Sequence, residues 1–290
     1  MIQILRRISQ FSALVISNSY FVGLFTRFIY NGPLKGFCVP ILNCYACPLA
    51  VFACPIGTIQ HFLGLHMIPF YVLGVLGFLG LLAGTMACGW LCPFGLLQEL
   101  MFKLSKKEIF LPKALSYIKY AVLVIMVILL PWFTGQPWFS RLCPAGTLTA
   151  AIPWLILDPI NPIDGTVVNV ADFVGDLFFL KLLILFLLLF LFVVAKRPFC
   201  KILCPLGALF SLFNKISFLK LHVKGQCKSC LKCETACVSG ISVNTDTNGI
   251  DCCRCLKCVE CENVKVSFLP ELPQGRQKNA GLTPLIKNKP

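Results

Sequence analysis

Charged residues are scarce in this chain: Asp, Glu, Lys and Arg make up 13% of its 290 residues. Soluble domains carry about a quarter charged residues, and 57% of this chain is hydrophobic, so the composition predicts a bilayer protein. Histidine is also scarce, with three residues in all, and no Cys-x-x-Cys-His pattern occurs. These two absences argue against a multi-haem b-type protein and against covalently attached c-type haem.

Cysteine is abundant, with 18 residues, and the net charge is +14. Small secreted scaffolds are also rich in cysteine, but they are short and have no apolar runs of membrane length. A basic excess can indicate nucleic acid, a membrane surface or an acidic partner. Because the lysines and arginines collect in particular loops, as membrane topology requires, we expect a lipid bilayer and redox proteins as partners, and no nucleic acid.

Four apolar stretches are long enough to cross a bilayer, whose core needs about 20 helical residues. They cover residues 11–30, 67–87, 115–135 and 173–195. Two further stretches, 39–60 and 144–157, are broken by proline, glycine and cysteine, so we predict re-entrant or interfacial segments there. The sequence thus predicts an all-α membrane bundle of four transmembrane helices with re-entrant cysteine-rich segments over residues 1–215.

The orientation of the bundle follows from its positive loops. Basic residues precede the first span, fill the loop between the second and third spans, and follow the fourth: Arg6, Arg7, Lys103, Lys106, Lys107, Lys113, Lys196, Arg197 and Lys201. Both termini are therefore predicted to be cytoplasmic. Lys181 lies inside the fourth span, where it either extends toward the outer headgroups or takes part in electron or proton transfer.

A compact cysteine cluster after residue 215 predicts a small α+β ferredoxin domain of the bacterial 2[4Fe–4S] type over residues 216–266, followed by a basic, flexible tail over 267–290. Its first run is C-x2-C-x2-C-x3-C and its second is C-x2-C-x2-C-x2-C. In such domains three thiolates of one run share a cluster with the last cysteine of the other. The expected sets are Cys227, Cys230, Cys233 and Cys261, and Cys252, Cys255, Cys258 and Cys237. Structural zinc is the alternative for these thiols.

The pattern Cys-Pro-apolar-small recurs five times in the membrane region, beginning at Cys47, Cys54, Cys92, Cys143 and Cys204. A proline after a metal ligand fixes φ and begins a new helical segment, and a glycine lets backbone approach closely. Cysteines that merely fill core space as small hydrophobic residues would have no reason to carry the same followers five times. The repeat therefore predicts thiolate ligands.

These cysteines divide between two sides of the membrane. Two motifs carry another cysteine four residues earlier, so one helical face presents both thiolates of each pair; the four thiolates predict an inner [4Fe–4S] site of Cys88, Cys92, Cys200 and Cys204. The other side holds an outer site of Cys44, Cys47, Cys54 and Cys143. These four hold either a fourth cluster or, in an oxidising compartment, two disulfides. Cys38 and Cys253 are left over.

The segments Cys88–Gly95 and Arg197–Gly207 resemble the membrane-bound polyferredoxins of the NapH and NosR type. The resemblance covers about residues 67–262 and rests on paired Cys-x3-Cys-Pro motifs followed by the double ferredoxin array. It implies a multi-pass protein of a prokaryotic cytoplasmic membrane, a role in redox traffic, and often quinol as the donor. The chain departs from the family in lacking the NosR branch's periplasmic flavin domain and in its additional outer cysteine segment.

The leading hypothesis is a membrane electron-transfer protein, a subunit of a redox complex rather than a stand-alone enzyme, with four [4Fe–4S] clusters. One alternative is a quinol dehydrogenase in which His61 and His66 bind quinone or haem. A second is an assembly or maturation factor for another metalloenzyme. No catalytic residue, electron donor or acceptor follows from the sequence.

Overall fold

The computed structural model describes residues 2–104, 109, 111–160, 166–170, 174–223, 232–261 and 263–268. Three helices within them are long and apolar enough to cross a membrane: Ile2–Thr26, Lys113–Thr134 and Asp176–Val194. They match the first, third and fourth predicted spans, and the chain is a mostly helical membrane protein.

The second predicted span, 67–87, forms a shorter helix than expected. It runs from Phe70 to Ala83, which is 14 residues, or about 21 Å at 1.5 Å per residue. A bilayer core is about 30 Å thick. The helix ends at Gly84, whose φ of +56° breaks it before the next helix, Met86–Trp90. The structure therefore supports three candidate spans, and the count of four stays a prediction.

The first helix also begins earlier than expected, at Ile2 instead of Phe11, and it is interrupted between Ser17 and Val22. Arg6, which was predicted to precede the first span, lies on the helix itself. It lies on the first helix with 1% of its surface exposed, and Gln10, one turn later, is fully buried. This helix therefore packs a polar face against the rest of the membrane region.

Shorter helices connect and flank these spans: Pro33–Gly36, Pro55–Gly64, Pro93–Phe102, Trp138–Leu142, Pro144–Leu157, Pro198–Ile202, Pro205–Phe213, Lys232–Ala236, Val243–Asp246 and Lys257–Glu260. Two helices contain wide π-helical turns, at Leu123–Leu129 and Thr147–Ala151. Both stretches precede a helical proline, Pro131 and Pro153. Proline lacks an amide hydrogen and crowds the preceding turn, which accounts for the widening.

The cysteine-rich segment after residue 215 is bracketed by two antiparallel strands, Lys220–Val223 and Val264–Ser267. Leu221 and Val264 of the strands and Cys233, Cys237 and Cys252 between them contribute to a small apolar core. Helix and strand thus occur together, as the predicted α+β domain requires. Cys227 and Cys230 lie outside the described residues, and the ferredoxin fold itself stays a prediction.

Buried polar contacts attach this segment to the ends of the membrane helices. The side chain of Asn214 donates to the carbonyls of Gly249 (2.9 Å) and Cys252 (3.0 Å). Thr85 donates to the same Cys252 carbonyl, and the indole of Trp90 donates to the Arg254 carbonyl at 3.2 Å. These bonds join buried backbone groups that would otherwise lack partners, so they fix the loop against the membrane region.

Candidate metal centres

Four of the five Cys-Pro motifs begin a helix, as predicted. In each, the cysteine is the extended residue before the helix and the proline is its first residue, at Cys54, Cys92, Cys143 and Cys204. Proline suits this position because the first helical amide has no intrahelical partner. Cys47-Pro48 differs, since its residues form a turn.

The four cysteines of the predicted inner site line one cavity: Cys88, Cys92, Cys200 and Cys204. The two pairs have matching backbones. The amide of Cys92 donates to the Ala87 carbonyl at 3.2 Å, and the amide of Cys204 donates to the Phe199 carbonyl at 2.9 Å. The equal spacing of the pairs therefore gives equal local geometry, and it brings all four thiols around one space.

Positive side chains surround this cavity. Lys196, Arg197 and Lys201 line it, and so does Lys119, which lies near the start of the Lys113–Thr134 helix. Lys119 is held by the Ile250 carbonyl (2.8 Å) and the Asp251 carboxylate (3.3 Å). Burial tends to lower the pKa of Arg197, but Cys253 and Glu99 beside it raise that pKa above its usual value. The cavity is thus suited to a negatively charged group.

Sequence reasoning missed a buried ion network of Arg6, Glu99 and Arg197, which contacts the backbone of the inner site. The Glu99 carboxylate accepts hydrogen bonds from both Arg6 and Arg197. Arg197 also donates to the Cys88 carbonyl (3.4 Å), and Arg6 donates to the Gly89 carbonyl (3.3 Å). Two guanidinium groups on one carboxylate leave a net positive charge directly behind the Cys88 backbone.

The predicted ferredoxin set of Cys237, Cys252, Cys255 and Cys258 also lines one cavity. Burial raises the pKa of Cys258 to about 11. Of the other predicted set, Cys233 and Cys261 belong to the same apolar core, and the remaining two members lie outside the described residues. The structure therefore assembles one complete set of ferredoxin thiols.

At the predicted outer site the structure brings together three of four thiols. Cys44, Cys54 and Cys143 line one cavity. The motif's Gly146 lies beside this cavity, and a Cβ there would contact the Cys44 sulfur at 3.4 Å. Cys47 is buried in a neighbouring apolar cluster, where Cys44 packs against it. None of the sixteen described cysteines forms a disulfide.

Backbone N–H groups distinguish the outer cysteines from the leftover Cys38. Amides two and three residues onward donate to the sulfurs of Cys54 and Cys143 and offset the rise in pKa that burial causes. Cys47 receives the same pair of donors, from Leu49 and Ala50. Cys38 receives no such bond from any described residue, and burial raises its pKa to about 12. Cys47 thus shares the local geometry of the helix-starting cysteines although it starts no helix.

The three cavities follow one another through the molecule. Ser239, Cys252 and Cys253 line both the ferredoxin cavity and the inner cavity. Leu42 lines both the inner and the outer cavity. The thiols of Cys54 and Cys92, on opposite sides of that leucine, are near enough to interact electrostatically. Neighbouring cavities therefore share lining residues, three between the ferredoxin and inner cavities and one between the inner and outer cavities.

Cys253, left over in the sequence analysis, lies at one of these junctions. Its sulfur hydrogen-bonds with Cys255 and Ser239, and these bonds, together with Arg197, lower its pKa to about 5 despite burial. His61 and His66 are exposed at a different place, and His66 packs edge-on against Trp132 at 4.8 Å. Lys181, the charge inside the fourth predicted span, interacts electrostatically with Cys44.

The residues around these cavities fit [4Fe–4S] clusters. The donors are thiols, the neighbouring side chains include cations, and backbone amides point at the sulfurs, all of which stabilise an anionic cluster. Burial raises the pKa of Cys200 to about 11 and that of Cys143 to about 12, so cluster binding there would release protons. Within the described residues, no three His, Cys, Asp or Glu side chains are grouped as ligands of a single metal ion.

Comparison with known proteins agrees with this chemistry. A family model described as a 4Fe–4S binding domain matches residues 51–68, 65–112, 120–158 and 177–224. The uncharacterized protein MJ0750 of Methanocaldococcus jannaschii is 31% identical over 92% of this chain and 95% of its own length. No solved structure is significantly similar.

Two further relatives carry descriptive names. YccM of Escherichia coli, named as a candidate electron transport protein, is 28% identical over 60% of this chain and 47% of its own length. The ferredoxin-type protein NapH of Haemophilus influenzae is 22% identical over 88% of this chain and 84% of its own length. The family model covers more than half of the chain, and each of its four matches contains one helix-starting Cys-Pro motif. This protein is therefore a member of the membrane polyferredoxin family with 4Fe–4S binding domains.

Proposed function

We propose that the chain carries electrons across the membrane between its ferredoxin segment and the outer site, as a subunit of a redox complex. The observation that carries this proposal is the row of three cysteine-lined cavities, in which each neighbouring pair shares lining residues. When bound, [4Fe–4S] clusters supply one-electron redox chemistry. The protein holds the clusters in a row and excludes water from the space between them.

In this proposal the inner cluster is held by Cys88, Cys92, Cys200 and Cys204, and the outer cluster by Cys44, Cys47, Cys54 and Cys143. The ferredoxin segment holds two more, on the sets predicted from its spacing. The hydrogen bonds of Thr85, Trp90 and Asn214 to the loop that carries Cys252 and Cys255 keep that loop docked. Docking favours transfer within one molecule over a segment that swings between partners.

Buried cations and amides would adjust the affinity of each site for electrons. Arg197 and Lys201 line the inner cavity, and the Gln98 side chain donates to the Cys200 sulfur at 3.1 Å. Positive charge and N–H donors stabilise the more negative, reduced state of a cluster. Lys35 and Lys181 interact electrostatically with Cys44 in the same way. A quinone donor stays a prediction, because the two histidines proposed for it lie apart from the cavities.

Metal content tests the number of sites. Anaerobic iron and acid-labile sulfide analysis of the purified protein should give about sixteen irons per chain for four [4Fe–4S] clusters. About twelve irons would contradict the outer cluster and restrict redox chemistry to the ferredoxin side of the protein.

Transfer itself is tested in sealed proteoliposomes with an impermeant reductant on one side and an acceptor on the other. The wild type should reduce the acceptor, and a Cys54→Ser/Cys143→Ser variant should not, while its ferredoxin EPR signals remain. Unchanged transfer in that variant would refute the electron path. Loss of all EPR signals would indicate misfolding, and the single variant Cys54→Ser then replaces the double one.

A further inference from the structure

A basic cleft lies between the ends of the membrane helices and the ferredoxin segment, and it borders the inner cavity at Lys196 and Arg197 and the ferredoxin cavity at Cys237. Its volume is about 160 Å³, roughly ten times the space that admits one water molecule. Five cationic side chains from four segments of the chain and one carboxylate line it: Arg7, Lys103, Lys196, Arg197, Lys257 and Glu99.

The single carboxylate does not neutralise Arg7, Lys103 and Lys257. Glu99 is already engaged by Arg197 and by Arg6 behind it. Within the described part of the chain, Arg7, Lys103 and Lys257 form no ion pair with any carboxylate. Arg197 is 2% exposed, and its Nε has no hydrogen-bond partner among the described residues. Gathering several cations around one space is unfavourable without an anion to offset them.

The position of the cleft points to the source of that anion. Arg7 lies on the first candidate span, near its beginning, and Lys196 follows two residues after the end of the Asp176–Val194 span. The ends of spanning helices lie at the depth of the lipid headgroups, where basic pockets between helices bind anionic lipids. Phe102, which Lys196 overlies at 5.8 Å, adds an apolar wall suited to the glycerol end of a lipid.

We propose that this cleft binds the phosphate of an anionic membrane lipid. The bound lipid joins the first span, the chain after the fourth span and the loop that carries Lys257. It thereby fastens the ferredoxin segment to the membrane region in addition to the hydrogen bonds of Asn214. Lipid binding needs no cluster, so it stands or fails independently of electron transfer.

The test uses the full-length protein in detergent, titrated with phosphatidylglycerol or phosphatidylcholine, with bound lipid counted by native mass spectrometry. Phosphatidylglycerol should bind preferentially and more weakly as salt rises. Each of Arg7→Gln, Lys103→Gln and Lys257→Gln should weaken it roughly fivefold, the value of one cation near an anionic lipid surface. The matched control is Lys215→Gln, which removes an exposed charge outside the cleft and should leave binding unchanged.

Two results would overturn the proposal. The first is equal binding of the two lipids, and the second is an equal loss in Lys215→Gln and the cleft variants, because general surface charge would then explain the preference. Inorganic phosphate is titrated separately: binding of phosphate without phosphatidylglycerol would refute the lipid as the source of the anion. Iron content of every variant is measured in parallel, so a folding defect is separated from a lost lipid contact.

Discussion

Removing the carboxylate of Glu99 should destabilise the membrane region strongly. Arg6, Glu99 and Arg197 come from three separate segments, and their side chains are 1%, 9% and 2% exposed. In Glu99→Gln both guanidinium groups keep a hydrogen-bond acceptor but lose their only shared counter-charge. Losing one partner of a buried ion pair typically costs about 3–5 kcal/mol.

We therefore expect Glu99→Gln to lower the free energy of unfolding of the cluster-free protein by about 3 kcal/mol, or roughly a hundredfold in the unfolding equilibrium. The matched control is Asp246→Asn, which breaks an ion pair with Lys113 whose side chains are 64% and 28% exposed. Exposed pairs contribute at most about 1 kcal/mol. Denaturant titration in mixed micelles, followed by tryptophan fluorescence, measures both variants.

The effect should also depend on pH in a definite direction. Burial opposes ionisation of Glu99, but Arg197 and Arg6 outweigh it and lower its pKa below the ordinary 4.5. A carboxylate whose pKa is depressed by folding contributes stability above its unfolded pKa, and that stability is lost as pH falls through the folded value. The difference between wild type and Glu99→Gln should thus be full near neutral pH and shrink below pH 4.5. A loss no larger than that of Asp246→Asn, or one independent of pH, would refute the reasoning.

Three further predictions concern the cysteine sites. Cys47→Ser should abolish the EPR signal of the outer cluster and Cys38→Ser should preserve it, because backbone amides of the described residues donate to the Cys47 sulfur and not to that of Cys38. The opposite result would exchange the roles of the two cysteines. Gly89→Ala should slow electron transfer between the ferredoxin and inner clusters in stopped-flow measurements, because its Cβ would lie 2.3 Å from a carbonyl of the docked loop. Gly77→Ala, which has open space at its Cβ, is the control and should change nothing. Gln98→Leu should lower the midpoint potential of the inner cluster by about 40 mV in an EPR redox titration, because the hydrogen bond from Gln98 to the Cys200 sulfur favours the reduced state by about 1 kcal/mol. An unchanged potential would exclude a role of Gln98 in setting it.

The features that the sequence predicted correctly are those that depend on short spacing. A cysteine followed by proline starts a helix at Cys92 and Cys204, and a second cysteine four residues earlier faces the same cavity. Each of these outcomes depends on backbone geometry within one or two helical turns, which local sequence determines.

The features that it missed depend on distant contacts. In the sequence, Arg6 has the context of a charge that flanks a span. It can be buried only because it pairs with Glu99, which lies 93 residues further along the chain. The available signal was the spacing of Arg6 and Gln10, which puts two polar residues on one face of an otherwise apolar helix. The length of the second span was missed for another reason: apolar composition continues through Gly84, where the backbone turns with a positive φ.

The inner and outer sites are built on one local plan. Gln60 and Gln98 each lie six residues after a helix-starting cysteine. The side-chain amide of each glutamine donates to a carbonyl of its own helix. It also donates to the segment before a second helix-starting cysteine: Gln60 to Ser140 (3.2 Å), before Cys143, and Gln98 to Cys200 (3.1 Å), before Cys204. The four family-model matches, one around each of these cysteines, indicate the same repetition.

The inner and outer sites differ at the position four residues before the helix-starting cysteine, where the inner site has a second cysteine. Four residues before Cys92 and Cys204 the chain has cysteines, but four residues before Cys143 it has Phe139, which is buried at 6% exposure. An outer site of this plan is therefore two thiolates short, and the added segment with Cys44 and Cys47 supplies that number. In the proposed arrangement the outer site lacks the paired cysteines of the inner site, so it can hold a cluster only if Cys44 and Cys47 supply the two thiolates in their place.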